Sequence, residues 1–174
     1  MNELIEKSNF INIGQDLQKD KKYLDVAQQL FDEGKYRFIL DRQEKDVYLE
    51  RYYYLNLRPF ARLVIHRFKQ SDVDGLHDHP WAFQNYILSG GYWEENEEGR
   101  FWRPPGYSGT ASSDYFHRVI LDPEKAGEDT WTLFLMGPKE KQWGFLNDEG
   151  IWIQHEEYLN TRLKEKNNNE QKEK

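Results

Sequence analysis

The sequence predicts an all-β domain with minor helices, built as an antiparallel barrel or a double-sheet jelly roll. Three observations favour this class. Segments with strand patterns recur roughly every 8 to 12 residues and are separated by turns rich in Gly and Pro. Aromatic residues make up 16% of the chain, and such residues favour strands and bury much apolar area. The apolar runs are strand-sized, and 174 residues suffice for one domain with a sizeable core.

The two ends of the chain are predicted to lie outside this barrel. Residues 1–35 form an N-terminal helical arm, in which a helix within Lys21–Glu33 stops at Gly34. Residues 156–174 form a short helix and a charged, disordered tail. The barrel is therefore expected over residues 36–155.

The strands of the barrel follow in order from the alternation of side chains and the turn residues. They are predicted at Tyr36–Leu40, Val47–Leu55, Ala61–Phe68, Ala82–Trp93, Arg100–Arg103, Phe116–Leu121 and Thr130–Met136, with a hairpin of Trp143–Leu146 and Ile151–Gln154. The acidic run Glu94–Gly99 is predicted to be an exposed hairpin tip. Tyr52–Tyr54 is expected to be an outer edge that needs cover, which predicts a homodimer.

Charge and composition argue against several classes of function. The formal net charge of −7 disfavours a nucleic-acid partner, which needs a basic face. No stretch approaches the roughly 20 apolar residues of a membrane-spanning helix, and the start of the chain lacks the layout of a signal peptide. The chain contains no cysteine, so thiolate ligands and cysteine nucleophiles are excluded. We expect a soluble cytoplasmic protein with a small-molecule substrate.

Three histidines carry the clearest chemical signal. His77 and His79 flank Asp78, and His117 follows 11 residues after the pair Pro105-Gly106. Because strand side chains alternate, His77 and His79 share a face, and Asp78 points away as a turn or rim residue. Imidazole suits zinc, copper, iron and nickel better than magnesium or calcium. The pattern predicts one divalent metal held by the three histidines; the alternative is a set of loop histidines bonded to backbone carbonyls.

These residues resemble the paired motifs of the cupin superfamily, small jelly-roll barrels (antiparallel double-stranded β-helices) with a metal site inside the mouth. The first motif is carried by Gly75, His77, His79, Gln84 and Gly91, and the second by Pro105-Gly106 and His117. The resemblance covers roughly Val47 to Phe145. A narrower resemblance, to a group of single-domain bacterial and phage cupins, is carried by Leu76–Trp81, Trp131–Leu135 with Gly137-Pro138, and Trp143–Phe145.

The resemblance implies a carboxylate ligand where this chain has Gln84. That side chain could bind the metal through its carbonyl oxygen or bond a metal-bound water. A shell of three neutral histidines resembles that of the thiol dioxygenases, such as cysteine dioxygenase, which use ferrous iron. Those enzymes hold the substrate carboxylate with an arginine on an earlier strand, which implies Arg51, Arg62 or Arg67 as the substrate-binding residue here. Tyr86 shares its parity with Gln84 and is expected to line the same pocket.

The resemblance therefore implies a mononuclear Fe(II) oxygenase acting on a small anionic substrate that chelates the metal. Two alternatives stay open. One is a metal-dependent isomerase or lyase of a sugar or hydroxy acid, in which the metal polarises a carbonyl. The other is a non-catalytic cupin that only binds a small molecule. Zinc, nickel, manganese and copper are the alternatives to iron, and the identity of the bound metal separates the hypotheses best.

Overall fold

A computed structural model gives the fold, and the structure describes residues 6–41 and 44–161. The predicted tail Lys164–Lys174 lies outside the described residues. The N-terminal part consists of α1 (Lys7–Gln18), a 3-10 turn (Lys19–Lys21) and α2 (Lys22–Asp32). The predicted helix within Lys21–Glu33 is confirmed by α2, which ends just before Gly34. Residues 155–161 are again helical.

Eleven strands follow α2 in the described part of the chain. They are β1 (Tyr36–Leu40), β2 (Val47–Leu57), β3 (Ala61–Phe68), β4 (Phe83–Ser89), β5 (Tyr92–Asn96), β6 (Gly99–Arg103), β7 (Ser108–Ala111), β8 (His117–Ile120), β9 (Thr130–Met136), β10 (Gly144–Leu146) and β11 (Trp152–Gln154). A short helix, α3 (Pro123–Ala126), lies between β8 and β9.

The strands form two antiparallel layers. The first is a six-stranded sheet in the order β1-β2-β3-β9-β4-β7. The second consists of β6-β5-β8 and the hairpin β10-β11, which are joined because His77 forms β-bridges to both His117 and Phe145. This arrangement confirms the predicted antiparallel jelly roll.

The outer face of the six-stranded sheet is covered by α1 and α2. Phe10 and Leu17 of α1 and Leu30 of α2 pack in one core with residues of β3 and β9. α1 approaches β4 so closely that a Cβ on Gly14 would lie 2.5 Å from the Tyr86 ring. The predicted N-terminal arm is thus packed on the sheet. The bounds of α1 could not be predicted because the hydrophobic pattern of this helix is weak. Only Phe10, Gly14 and Leu17 of α1 are buried.

The structure corrects the single strand predicted at Ala82–Trp93. Gly90 and Gly91 adopt φ values of 70° and 111°, which side-chain-bearing residues rarely adopt, so the chain turns there from β4 into β5. β5 then continues to Asn96, inside the segment predicted to be an exposed tip. Glu94 is consequently a strand residue, and it is only 5% exposed.

The structure also corrects the predicted outer edge at Tyr52–Tyr54. β2 lies between β1 and β3, and Tyr52 is buried in the core beneath the helices. The edges of this sheet are β1 and β7. The homodimer remains a prediction, but the segment Tyr52–Tyr54 on which it was based is not a sheet edge. None of the described helices is both long and apolar enough to span a membrane.

Candidate metal centre

The three histidines converge where the two layers of the barrel meet. His77 lies between β8 and β10, and its backbone N–H and C=O pair with those of His117 at 2.9 and 3.0 Å. His79 comes two residues later on the same side of the chain, and Pro80 then ends the extended segment. The backbone pairing places the His117 ring beside the other two rings, with centroid separations between 5.1 and 5.3 Å.

The ring nitrogens of this group fit the donor set of one divalent metal ion. One nitrogen from each of His77, His79 and His117 lies within 4.8 Å of the others. The Nε2 atoms of His79 and His117 are 2.9 Å apart. Two nitrogen ligands at right angles on one metal would be separated by about 3 Å, given metal–nitrogen bonds near 2.1 Å. The three side chains could therefore bind one ion with small adjustments.

Burial keeps the imidazoles of His77 and His79 neutral at pH 7, which leaves each of them a lone pair for a metal. Desolvation lowers the pKa of His77 to about 4. The pKa of His79 is held well below its ordinary value, first by burial and then by the positive charges of neighbouring histidines and Arg51. His77 also forms a hydrogen bond with the backbone of Gly75, which fixes the orientation of its ring.

Glu94 orients the third histidine, a role that the sequence prediction missed. Its Oε1 lies 2.9 Å from His117 Nδ1, and its Oε2 accepts a hydrogen bond from Arg103 Nε at 2.7 Å. These contacts, especially that with His117, hold the pKa of Glu94 below its ordinary value despite the opposing effect of burial. A carboxylate at Nδ1 leaves the lone pair of His117 on Nε2, the atom that faces His79. Alternation along the strand could have indicated this role. Glu94 comes two residues after Tyr92 and therefore lies on the same buried face of β5.

Asp78 points away from the metal group, as predicted, but it is not a rim residue. It is fully buried and accepts hydrogen bonds from the backbone N–H of Gly144 at 2.7 Å and from Trp152 Nε1 at 3.2 Å. Lys141 Nζ lies 2.7 Å from the same carboxylate. Asp78 thus fastens the hairpin β10-β11 to the segment that carries His77 and His79.

The metal group lies in the wall of a cavity of about 660 Å³ between the two layers. Most of its inner surface is apolar and aromatic, including Phe83 and Phe134, whose rings stack at 4.8 Å. A row of polar side chains crosses one wall, formed by residues that lie opposite one another on β2, β3 and β9: Arg51, His66 and Thr132.

The structure brings only part of the predicted site together. Arg51 lines the cavity, whereas Arg62 packs over the Trp81 ring at 4.9 Å. Arg67 lies on the other face of β3, where it pairs with Glu50 and Asp129.

Two residues of β4 that were expected at the metal or in the pocket lie on the far side of the sheet. Phe83 and Asn85 are the β4 residues that line the cavity, so Gln84 and Tyr86 face the opposite way. Tyr86 is buried beneath α1, where its hydroxyl donates to Gln18. The placement of Gln84 separates it from the three histidines. Tyr86, expected to line the pocket, packs in the helix-covered core instead.

The role of Glu94 leads to a testable prediction. Replacing Glu94 with Gln is expected to weaken metal binding by about 10- to 100-fold, the usual effect of losing a partner that orients a histidine ligand. A competition titration with a metal-binding dye measures this affinity. The matched control is Glu95→Gln, because Glu95 pairs with Arg118 and touches none of the three histidines. Equal affinities for both variants would contradict the assigned role of Glu94.

Comparison with known proteins supports the fold at low sequence identity. No protein-family model matches the sequence, and no curated protein matches it either. A cupin-2 domain of Rhodospirillum rubrum is similar in structure, with a TM-score of 0.52 and 13% identity, over 66% of this chain and 78% of that one. A cupin 2 conserved barrel domain protein of Rhodopseudomonas palustris gives a TM-score of 0.51 and 9% identity, over 66% and 80%. The resemblance to thiol dioxygenases stays a prediction. The chain has the cupin fold, with a three-histidine group that could hold a divalent metal.

Proposed function

We propose that this protein is an Fe(II)-dependent oxygenase that binds a small anionic substrate between the three histidines and Arg51. One observation carries this proposal. Arg51 is a largely buried cation in the same cavity as the histidines, and no carboxylate of the described residues pairs with it. A buried charge without a counter-ion is costly, so the site gains stability when an anion enters.

The surroundings of Arg51 prepare it for such a ligand. Burial lowers the pKa of Arg51, but a guanidinium remains charged at neutral pH. Its Nε donates to Nε2 of His66 at 2.9 Å, which fixes the plane of the guanidinium. Burial and the charge of Arg51 hold the pKa of His66 well below its ordinary value, so His66 is a neutral acceptor. The Tyr53 hydroxyl also interacts with the guanidinium, and the N–H groups that remain can hold a carboxylate.

The three-histidine group also favours a negatively charged substrate. Three neutral imidazoles do not offset the charge of a divalent ion, so an anionic ligand gains more here than at a site that already contains a carboxylate. Imidazole ligands suit iron, and a donor set of only three side chains would leave room on the ion for a small anionic substrate. Ferrous iron in this site would supply the electrons with which O2 is activated. The polypeptide would orient the substrate through Arg51 and exclude bulk water with the apolar cavity walls.

Anaerobic titration tests this proposal. Protein reconstituted with Fe(II) and nitric oxide is expected to show an iron–nitrosyl spectrum that changes when thiols, amino acids, hydroxy acids or other carboxylates bind. Arg51→Gln should weaken this response by about thirtyfold or more, the effect of removing one partner of a buried charge pair. Arg67→Gln is the matched control, because Arg67 lies on the face of β3 that is turned away from the cavity.

The same experiment separates the alternatives. Consumption of O2 with an anion that perturbs the spectrum supports the oxygenase. Tight binding of zinc or nickel without O2 uptake would instead favour a metal-dependent isomerase or lyase. A protein that retains no metal would favour a binding module. A spectrum that no anion changes, together with no O2 uptake, would contradict the proposal.

A further inference from the structure

We infer that the ligand of this cavity is a monocarboxylate with an aromatic or branched apolar body, rather than a sugar acid or a small polar amino acid. The inference rests on the proposed function for the role of the metal, but its evidence is the lining of the cavity. Two properties of that lining carry it: the number of polar atoms that a ligand could still engage, and the character of the walls.

The polar side chains deep in the cavity already have partners within the protein. Asn85 donates from Nδ2 to the Tyr92 hydroxyl at 2.8 Å, and its Oδ1 accepts from the Gly109 backbone at 3.0 Å. His66 is engaged by Arg51. Two polar atoms, both belonging to residues that line the cavity, are buried without a hydrogen-bond partner among the described residues: Thr132 Oγ and Trp81 Nε1.

Other polar side chains of the lining are engaged in the same way. Tyr48 donates its hydroxyl to Asp72, and the other oxygen of Asp72 accepts from the Val119 backbone at 2.6 Å. Gln70 donates to the backbone carbonyl of Val47 at 3.3 Å, and Ser71 accepts from the backbone of Leu121 at 2.9 Å. These groups hold the walls together, so recognising a ligand through them would break existing hydrogen bonds.

The cavity therefore offers a ligand few polar contacts, and they include one cation. Arg51 takes a carboxylate, and the neighbouring Thr132 can bond an adjacent oxygen, since the two residues flank His66 on β2 and β9. A sugar acid carries a hydroxyl on nearly every carbon. Each hydroxyl buried here without a partner would weaken binding by about 5- to 150-fold. Polyhydroxylated substrates are thus disfavoured.

The walls favour an apolar body of appreciable size. Phe83 and Phe134 stack beside the ring of His79, with the Phe83 centroid 5.0 Å from it. Further apolar lining comes from Leu49, Phe68, Val119, Trp143, Phe145 and Leu159. The volume of about 660 Å³ lies in the range of roughly 300 to 1,000 Å³ that encloses ligands much larger than a three-carbon amino acid.

An acidic side chain of the lining disfavours a second carboxylate on the ligand. Asp72 lines the cavity and is partly exposed. Its hydrogen-bond donors, the Tyr48 hydroxyl and the Val119 backbone, are neutral, so its negative charge would repel a second carboxylate nearby. A single anionic head at Arg51 with an uncharged, apolar remainder fits this lining.

Calorimetric titration of the full-length protein tests this inference with three probes: 3-phenylpropanoate, propanoate and gluconate. 3-Phenylpropanoate is expected to bind about tenfold or more tightly than propanoate, because its ring is buried. Gluconate should bind no better than propanoate. Arg51→Gln should weaken 3-phenylpropanoate binding by about thirtyfold or more, and Arg51→Lys should recover part of that loss. Gluconate binding as tight as that of 3-phenylpropanoate would overturn the inference, as would an Arg51→Gln variant with unchanged affinity.

Titrations with and without metal distinguish this inference from the proposed function. Selective binding of 3-phenylpropanoate to metal-free protein supports the inference even if the iron-loaded protein consumes no O2. O2 uptake driven by gluconate, in the absence of any response to 3-phenylpropanoate, would support the oxygenase and contradict this ligand class.

Discussion

Replacing His77 or His117 with Ala is expected to remove most of the bound metal while the barrel remains folded. Each substitution deletes one of three ligands, so the loss of affinity should exceed the roughly 10- to 100-fold effect of changing an outer partner. The fold should survive because the cores between the helices and the six-stranded sheet and inside the barrel do not depend on a metal. Elemental analysis gives the metal content, and circular dichroism checks the fold.

The control for these variants is Gln84→Ala. Gln84 was a candidate ligand from the cupin motif, but it lies on the face of β4 turned away from the cavity, so its removal should leave the metal content unchanged. Full metal content in both histidine variants would exclude the proposed centre. Metal loss in Gln84→Ala equal to that in His117→Ala would show that the donor set has been misassigned.

Replacing Asp78 with Ala is expected to lower the free energy of unfolding by about 3 kcal/mol or more, the effect of removing one partner of a buried, hydrogen-bonded charge. Asp78 is fully buried, and its loss leaves the backbone N–H of Gly144 and the indole of Trp152 without their acceptor. Lys141 would lose its buried counter-ion as well. Urea unfolding monitored by tryptophan fluorescence measures the change.

Asp114→Ala is the matched control for Asp78. Asp114 pairs with the same Lys141, but its side chain is 79% exposed, so its removal should change stability by at most about 1 kcal/mol. The loss of stability in Asp78→Asn should fall between those of the other two variants, since the amide oxygen can still accept a hydrogen bond from the backbone N–H of Gly144. An Asp78→Ala variant as stable as Asp114→Ala would show that Asp78 does not fasten the hairpin.

Three strands were predicted with their observed bounds: Tyr36–Leu40, Ala61–Phe68 and Thr130–Met136. The last two contain apolar residues that face either the helices or the barrel interior, whereas Tyr36–Leu40 is largely exposed. The failures come from residues whose surroundings are set by distant parts of the chain. α1 buries few residues, so its pattern is weak, and Glu94 looked solvated because its partners His117 and Arg103 come later in the sequence.

The residues of the candidate site could likewise be predicted only in part. The spacing of His77 and His79 within one extended segment sufficed to place them together and to turn Asp78 away. Alternation continued from His79 puts Gln84 on the face turned away from the cavity, because His79, Trp81, Phe83 and Asn85 all line it. The motif position of Gln84 did not fix the face on which it lies. Choosing Arg51 over Arg67 likewise required knowing which face of each strand lines the cavity.

We infer that His77, His79 and His117 together hold one divalent metal, which we propose to be iron. X-ray absorption spectroscopy of tag-free protein, reconstituted anaerobically with Fe(II) and quantified by elemental analysis, tests it most directly. We expect one iron per chain with three imidazole nitrogens among its ligands, and a change in the remaining ligands when a carboxylate is added. Iron that fails to bind, or iron bound without histidine ligands, would contradict it.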